Sequence, residues 1–133
     1  MSLKGSSPSF FVDNNLGVGV AAVLHELGLD VKHLKEDHPE DTLDEVWLAA
    51  IGAEGRCLIT RDLSIRTNRR LKDALKRHRV GAFFLGGKNR SARELIEQAV
   101  SANRLMEEAA SGRRPFAFIV RPGGRSLEKL PLD

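Results

Sequence analysis

Three acidic residues in this chain stand where an alternating strand–helix fold would gather carboxylates. Asp13 follows the apolar run Ser9-Phe10-Phe11-Val12, Asp44 opens an amphipathic segment, and Asp62 follows Cys57-Leu58-Ile59-Thr60. Carboxylates meeting at one edge repel each other unless protonated or neutralised. Hard cations such as Mg²⁺ or Mn²⁺ take oxygen ligands of this kind, and the chemistry they support is phosphodiester hydrolysis. Each acid also has a structural explanation. Asp44 in a first helical turn complements the macrodipole, Asp62 can cap the next helix, and Asp13 can form an Asx turn with Asn14-Asn15. Singly, the structural explanation is the better one; three such acids at one edge favour a cation.

The elements that would position them follow from periodicity. Strand-like runs occupy residues 10–13, 30–34, 57–60, 80–85 and 116–120, with helical patterns between them. Leu16, Val20, Val23, Leu24 and Leu27 have helical spacing, and Gly28 supplies a stop. Thr42-Leu43-Asp44-Glu45 fits a capping box, with Leu43, Trp47, Ala50 and Ile51 as the apolar stripe. A basic helix over about 67–77 packs through Leu71, Ala74 and Leu75. A second box, Ser91-Ala92-Arg93-Glu94, precedes Leu95, Ala99, Ala102, Met106 and Ala109. Such β-α-β units with right-handed crossovers predict a parallel sheet covered by helices on both faces. The C-terminal strand ends and the following helix starts then share one edge, where ligands bind. Asp13, Asp44 and Asp62 converge there.

At 133 residues the chain has the length of one domain. Hydrophobic residues at 41% and charged residues at 29% describe a globular protein, and no apolar run reaches the roughly 20 residues of a membrane helix. Residues 1–8 read as a flexible or appended tail rather than a signal peptide, so a cytoplasmic location is expected. Residues 9–120 form the domain, and 121–133 read as an irregular tail. The single Cys57 cannot form an internal disulfide and sits in a core strand, so no chemistry is assigned to it.

The net charge of +3 is modest but segregated. Residues 36–45 carry Glu36, Asp37, Glu40, Asp41, Asp44 and Glu45 with no Lys or Arg, whereas 61–79 carries eight Lys and Arg against Asp62 and Asp73. A solvated helix face is the common reading of a charge run. A basic run starting beside a cluster of acids instead suggests a surface for a phosphate backbone.

The pattern Phe10-Phe11-Val12-Asp13-Asn14-Asn15-Leu16, then Asp44-Glu45-Val46-Trp47-Leu48, then Leu58-Ile59-Thr60-Arg61-Asp62, resembles the PIN-domain nucleases. The likeness is to the short PIN-like proteins grouped with virulence-associated toxins of toxin–antitoxin pairs, and it covers about 10–120. It implies a three-layer α/β/α sandwich around a mostly parallel sheet and Mg²⁺- or Mn²⁺-dependent cleavage of RNA. Asp13, Asp44 and Asp62 become the catalytic, metal-holding carboxylates, with Asn14 and Thr60 orienting water or carboxylates by hydrogen bonds. Arg61, Arg66, Arg69 and Arg70 would hold the RNA backbone. Many members have a fourth acid shortly after the Thr-x-Asp motif, where this chain has Leu63-Ser64-Ile65. Glu45 either replaces it as a metal ligand or closes the capping box with Thr42, the latter being preferred. The number of ions stays open.

The partners implied are RNA, a small antitoxin protein and a second copy of the chain in a homodimer. Aromatic residues at 5%, with no Tyr, leave few platforms for stacking bases. A non-catalytic nucleic-acid- or phosphate-binding module on the same fold is the alternative. A dinucleotide site ranks below both. Gly17-Val18-Gly19-Val20-Ala21-Ala22 matches G-x-G-x-x-A with Glu36 downstream, yet the first Gly lies well past the strand, and helix packing explains the glycines better. Gly86-Gly87-Lys88-Asn89 lacks full P-loop spacing and reads as a turn with modest phosphate potential. The four histidines show no metal spacing with cysteine, and no Gly-x-Ser-x-Gly elbow occurs.

Overall fold

The computed structural model describes residues 8–61 and 64–133; Asp62 and Leu63 lie outside the described residues. Apolar strand segments alternate with helices as β1 (Ser9–Val12), α1 (Val18–Glu26), β2 (Asp30–His33), α2 (Leu34–Asp37), α3 (Asp44–Glu54), β3 (Cys57–Arg61), α4 (Arg69–His78), β4 (Gly81–Leu85), α5 (Ala92–Ala110), β5 (Phe116–Val120) and β6 (Leu127–Lys129). The sheet order is β2-β1-β3-β4-β5-β6. Strands β1 to β5 run parallel and β6 pairs antiparallel to β5.

The period-2 alternation of a strand sends successive side chains to opposite faces, and this sheet has a core on each. Phe10, Val12, Ile59, Phe83 and Leu85 pack against Val20 and Leu24 of α1 and Leu95, Ala99 and Met106 of α5. Phe11, Leu58, Ala82, Phe84 and Ile119 face the other way, onto Trp47, Leu48 and Ile51 of α3 and Ala74 and Leu75 of α4. Both faces being covered is why the central strands read as continuous apolar runs. The result is the expected α/β/α sandwich.

Several local expectations give way to different chemistry. The C-terminal segment is not irregular throughout. Its β6 adds to the sheet, Leu130 N–H donates to Ala117 O at 2.9 Å, and Leu130 and Leu132 pack on the α3–α4 core. The Thr42 box does not form: Thr42 Oγ1 donates to Pro39 O at 2.7 Å, α3 starts one residue later with Leu43 as its N-cap, and Leu43 is exposed rather than part of the stripe. The Ser91–Glu94 box is present. A box missed in the sequence caps α2, where Lys35 N–H donates to His33 Nδ1 and His33 N–H donates to Glu36 Oε2. That commits Glu36 to the backbone and removes it as a ribose acid. A Cβ added at Gly19 would meet nothing within 4 Å, so packing does not require glycine there. No described helix is long and apolar enough to cross a membrane.

Candidate active site

The chain leaves β1 for β2 on one side and adds β3, β4 and β5 on the other, so the order reverses between β1 and β3. In open α/β sheets the crevice outside the strand ends at such a reversal is where ligands bind. Val12 pairs in register with Ile59, which sets Asp13 beside Thr60 at that crevice. Thr60 Oγ1 donates to Asp13 Oδ1 at 2.8 Å. Both residues are buried, Asp13 at 6% and Thr60 at 2% exposure.

Burial of a carboxyl with few donors disfavours its charged form. Desolvation pushes the Asp13 pKa up from 3.8 to about 6; the Asp44 carboxylate adds to the rise, while the hydrogen bonds from Thr60 and Asn15 and the nearby His33 oppose it. Asp44 is exposed in the first turn of α3 and lines the same cavity, of about 90 Å³, with Asn15, Thr60, Arg61 and Asn68. These two carboxylates therefore repel each other across the cavity.

The second asparagine, not the first, supports Asp13. Asn15 donates to it twice, from N–H to Oδ1 at 3.2 Å and from Nδ2 to Oδ2 at 3.4 Å, so the Asx turn and the site share one carboxylate. Asn14 instead donates from Nδ2 to Glu40 O at 2.9 Å, away from Asp13. His33 is a further residue missed in the sequence. Its Nδ1 accepts from Lys35 N–H and its Nε2 lies 3.0 Å from Leu16 O, which sets Nε2 as the protonated nitrogen and ties β2 to the loop after β1. Asn68, the N-cap of α4, accepts from Leu71 N–H at 3.1 Å and forms another wall of the cavity.

Glu45 is neither a capping-box glutamate nor turned to the acids. Its carboxylate accepts from Arg77 and lies 2.5 Å from His78 Nε2, linking α3 to the C-terminal end of α4, and the hydrogen bond with His78 is the main cause holding its carboxyl below the usual range. Glu45→Gln is accordingly expected to keep wild-type Mn²⁺ affinity in a calorimetric titration; a large loss would make it the missing fourth acid. Cys57 is buried, and burial pushes its thiol up to about 11, in keeping with a packing role.

Among the described residues no group of three or more His, Cys, Asp and Glu comes together to hold a metal. The described pair, Asp13 and Asp44, still fits a divalent ion that keeps part of its water shell. The donors are all oxygens, the carboxylates repel, and one of them is held high by its surroundings. Of the expected basic residues, Arg61 lines the cavity, Arg69 and Arg70 are exposed at the start of α4, and Arg66 is bonded to Glu128 at 2.6 Å.

The mostly parallel sheet between two helical layers, with Asp13 and Asp44 lining one cavity at its reversal point, defines an α/β/α sandwich with an acidic crevice. Residues 8–87 match the family model described as a PIN like domain, and the chain belongs to that family, which is generally associated with nucleases. Searches of curated proteins and of solved structures find no match.

Proposed function

We propose that the protein is a Mg²⁺- or Mn²⁺-dependent endoribonuclease that hydrolyses RNA phosphodiester bonds, acting as the toxin of a pair neutralised by a small antitoxin protein. The observation that carries the catalytic part is Asp13: a buried carboxyl at the strand reversal, with its pKa raised to about 6 and repelled by Asp44 across a shared cavity. A bound cation relieves both the burial and the repulsion. The toxin part rests on the likeness to short PIN-like toxins.

In this reading Asp13 and Asp44, with Asp62, hold the ion. When bound, the ion supplies an activated water and charge stabilisation at the phosphoryl and leaving oxygens. Thr60 and Asn15 hold the Asp13 carboxylate in one orientation at the wall of the cavity. The basic residues steer the substrate. Helix α4 opens with Arg69-Arg70 and no acid in its first turn, an arrangement the helix dipole disfavours. A phosphate backbone crossing that helix start would offset the cost.

The binding-module alternative draws on the commitment of Glu45 to Arg77 and His78, which removes the candidate for a fourth acid. Calorimetric titration with Mn²⁺ tests the reading at its base. Wild-type protein should bind the ion, and Asp44→Asn should weaken that binding by more than the roughly 10- to 100-fold typical of outer-sphere changes. Equal affinity in the two proteins would remove Asp44 from the site.

A further inference from the structure

Arg66 follows β3 in a 3₁₀ turn at Ile65–Thr67, Arg121 directly follows β5, and Glu128 lies in β6. The fold brings these three distant residues together. Arg66 Nη2 donates to Glu128 Oε2 at 2.6 Å, and Arg121 Nη1 donates to Glu128 Oε1 at 2.6 Å. One carboxylate thus faces two guanidiniums, each on its own oxygen, and one positive charge stays uncompensated. Neither arginine has another carboxylate partner among the described residues. All three side chains reach solvent, at 53%, 54% and 36% exposure. The group sits at the C-terminal end of the parallel strands, the edge that also carries Asp13. Lys72 Nζ donates to Arg66 O at 2.9 Å and pins the turn that presents it.

We propose that Arg66 and Arg121 clamp one phosphate of an RNA backbone, with Glu128 as the internal anion that gathers the two guanidiniums and yields its place to that phosphate. This deepens the RNA-cleaving reading above and rests on it. A phosphodiester has two non-bridging oxygens that can each take one guanidinium, as the two Glu128 oxygens do, and Arg forks match phosphate as well as carboxylate. The hydrogen bond from Arg66 is the main cause holding the Glu128 carboxyl below its usual range, so Glu128 is charged at neutral pH and competes with the substrate. An RNA strand held at this clamp would run along the strand-end edge from the β1–β3 crevice to β5. Arg121, in the segment read from sequence as a tail, becomes part of the binding surface.

The test is equilibrium binding of a single-stranded RNA oligonucleotide to the full chain in EDTA, measured across a range of salt concentrations. Glu128→Gln should tighten binding roughly three- to tenfold and steepen the salt dependence. Arg121→Gln, which leaves the Arg66–Glu128 pair intact, should weaken binding and flatten the log–log slope by about 0.7, the value for one phosphate contact on a single strand. Should Glu128→Gln loosen β6 and lower the melting temperature, Arg121→Gln and Arg66→Gln decide the matter. Wild-type protein that binds and cuts RNA while these variants keep its affinity and slope would overturn the clamp and leave the nuclease reading standing. Wild-type protein that neither binds nor cuts would overturn both.

Discussion

Asp13→Asn is expected to abolish RNA cleavage, by well over a hundredfold, while making the metal-free protein more stable. The opposition of the two effects is what distinguishes a site residue from a structural one. Because the folded protein holds the Asp13 carboxyl at about 6 against an ordinary 3.8, folding favours its protonated form. Its cost is absent below about pH 3.8, grows as pH rises, and is complete above about pH 6. That difference corresponds to on the order of 3 kcal/mol against the fold at neutral pH. Asparagine removes the charge, keeps an acceptor for Thr60, and loses the weak bond from Asn15 Nδ2, so the net gain falls below that bound. Denaturant melts in EDTA at pH 5 and pH 7.5 check it. The wild type should lose stability from the lower to the higher pH, and Asp13→Asn should not.

Gly52→Ala should damage fold and activity together. A Cβ at Gly52 would stand 2.3 Å from the His78 carbonyl oxygen and 3.4 Å from Val80 Cγ2. The nearest atom is backbone at the end of α4, which cannot turn aside as a side chain can, so α3 must move. Overpacking of this kind costs about 1–3 kcal/mol or more. Helix α3 carries Asp44 at its start, and displacement of a catalytic group by about 1 Å costs on the order of a hundredfold in rate. Thermal melts and a cleavage assay on the same preparation check both halves. Wild-type stability with wild-type activity would mean that the α3–α4 contact tolerates a methyl group and does not set the position of Asp44.

The sheet was legible because its central strands are buried on both faces and read as unbroken apolar runs, and the helices between them keep their stripes. The site was legible in part for the same reason: a strand end and a helix start fall on one edge whatever the details. The rest depended on contacts that no period records. Strand β6 is short and polar at Glu128 and Lys129, and it forms because Leu127 and Leu130 find opposite cores. Glu45 looked like a capping glutamate until Thr42 was drawn off by Pro39 and α4 presented Arg77 and His78. Asn14 and Asn15 are equivalent in sequence, and only the turn geometry assigns the support of Asp13 to the second. The His33 cap of α2 has no sequence signature, because histidine is an unusual residue at that position.

The acids at the β1–β3 crevice are expected to make this PIN-like protein an ion-dependent ribonuclease. Incubation of the purified wild-type chain with a mixed set of RNAs, with Mn²⁺ or Mg²⁺ and in parallel with EDTA, tests it most directly. Cleavage with either ion, its absence in EDTA, and its absence in Asp13→Asn with the ion supplied are the predicted results. Salt-dependent RNA binding by the wild type with no cleavage under any of these conditions would contradict the claim and make the protein a binding module.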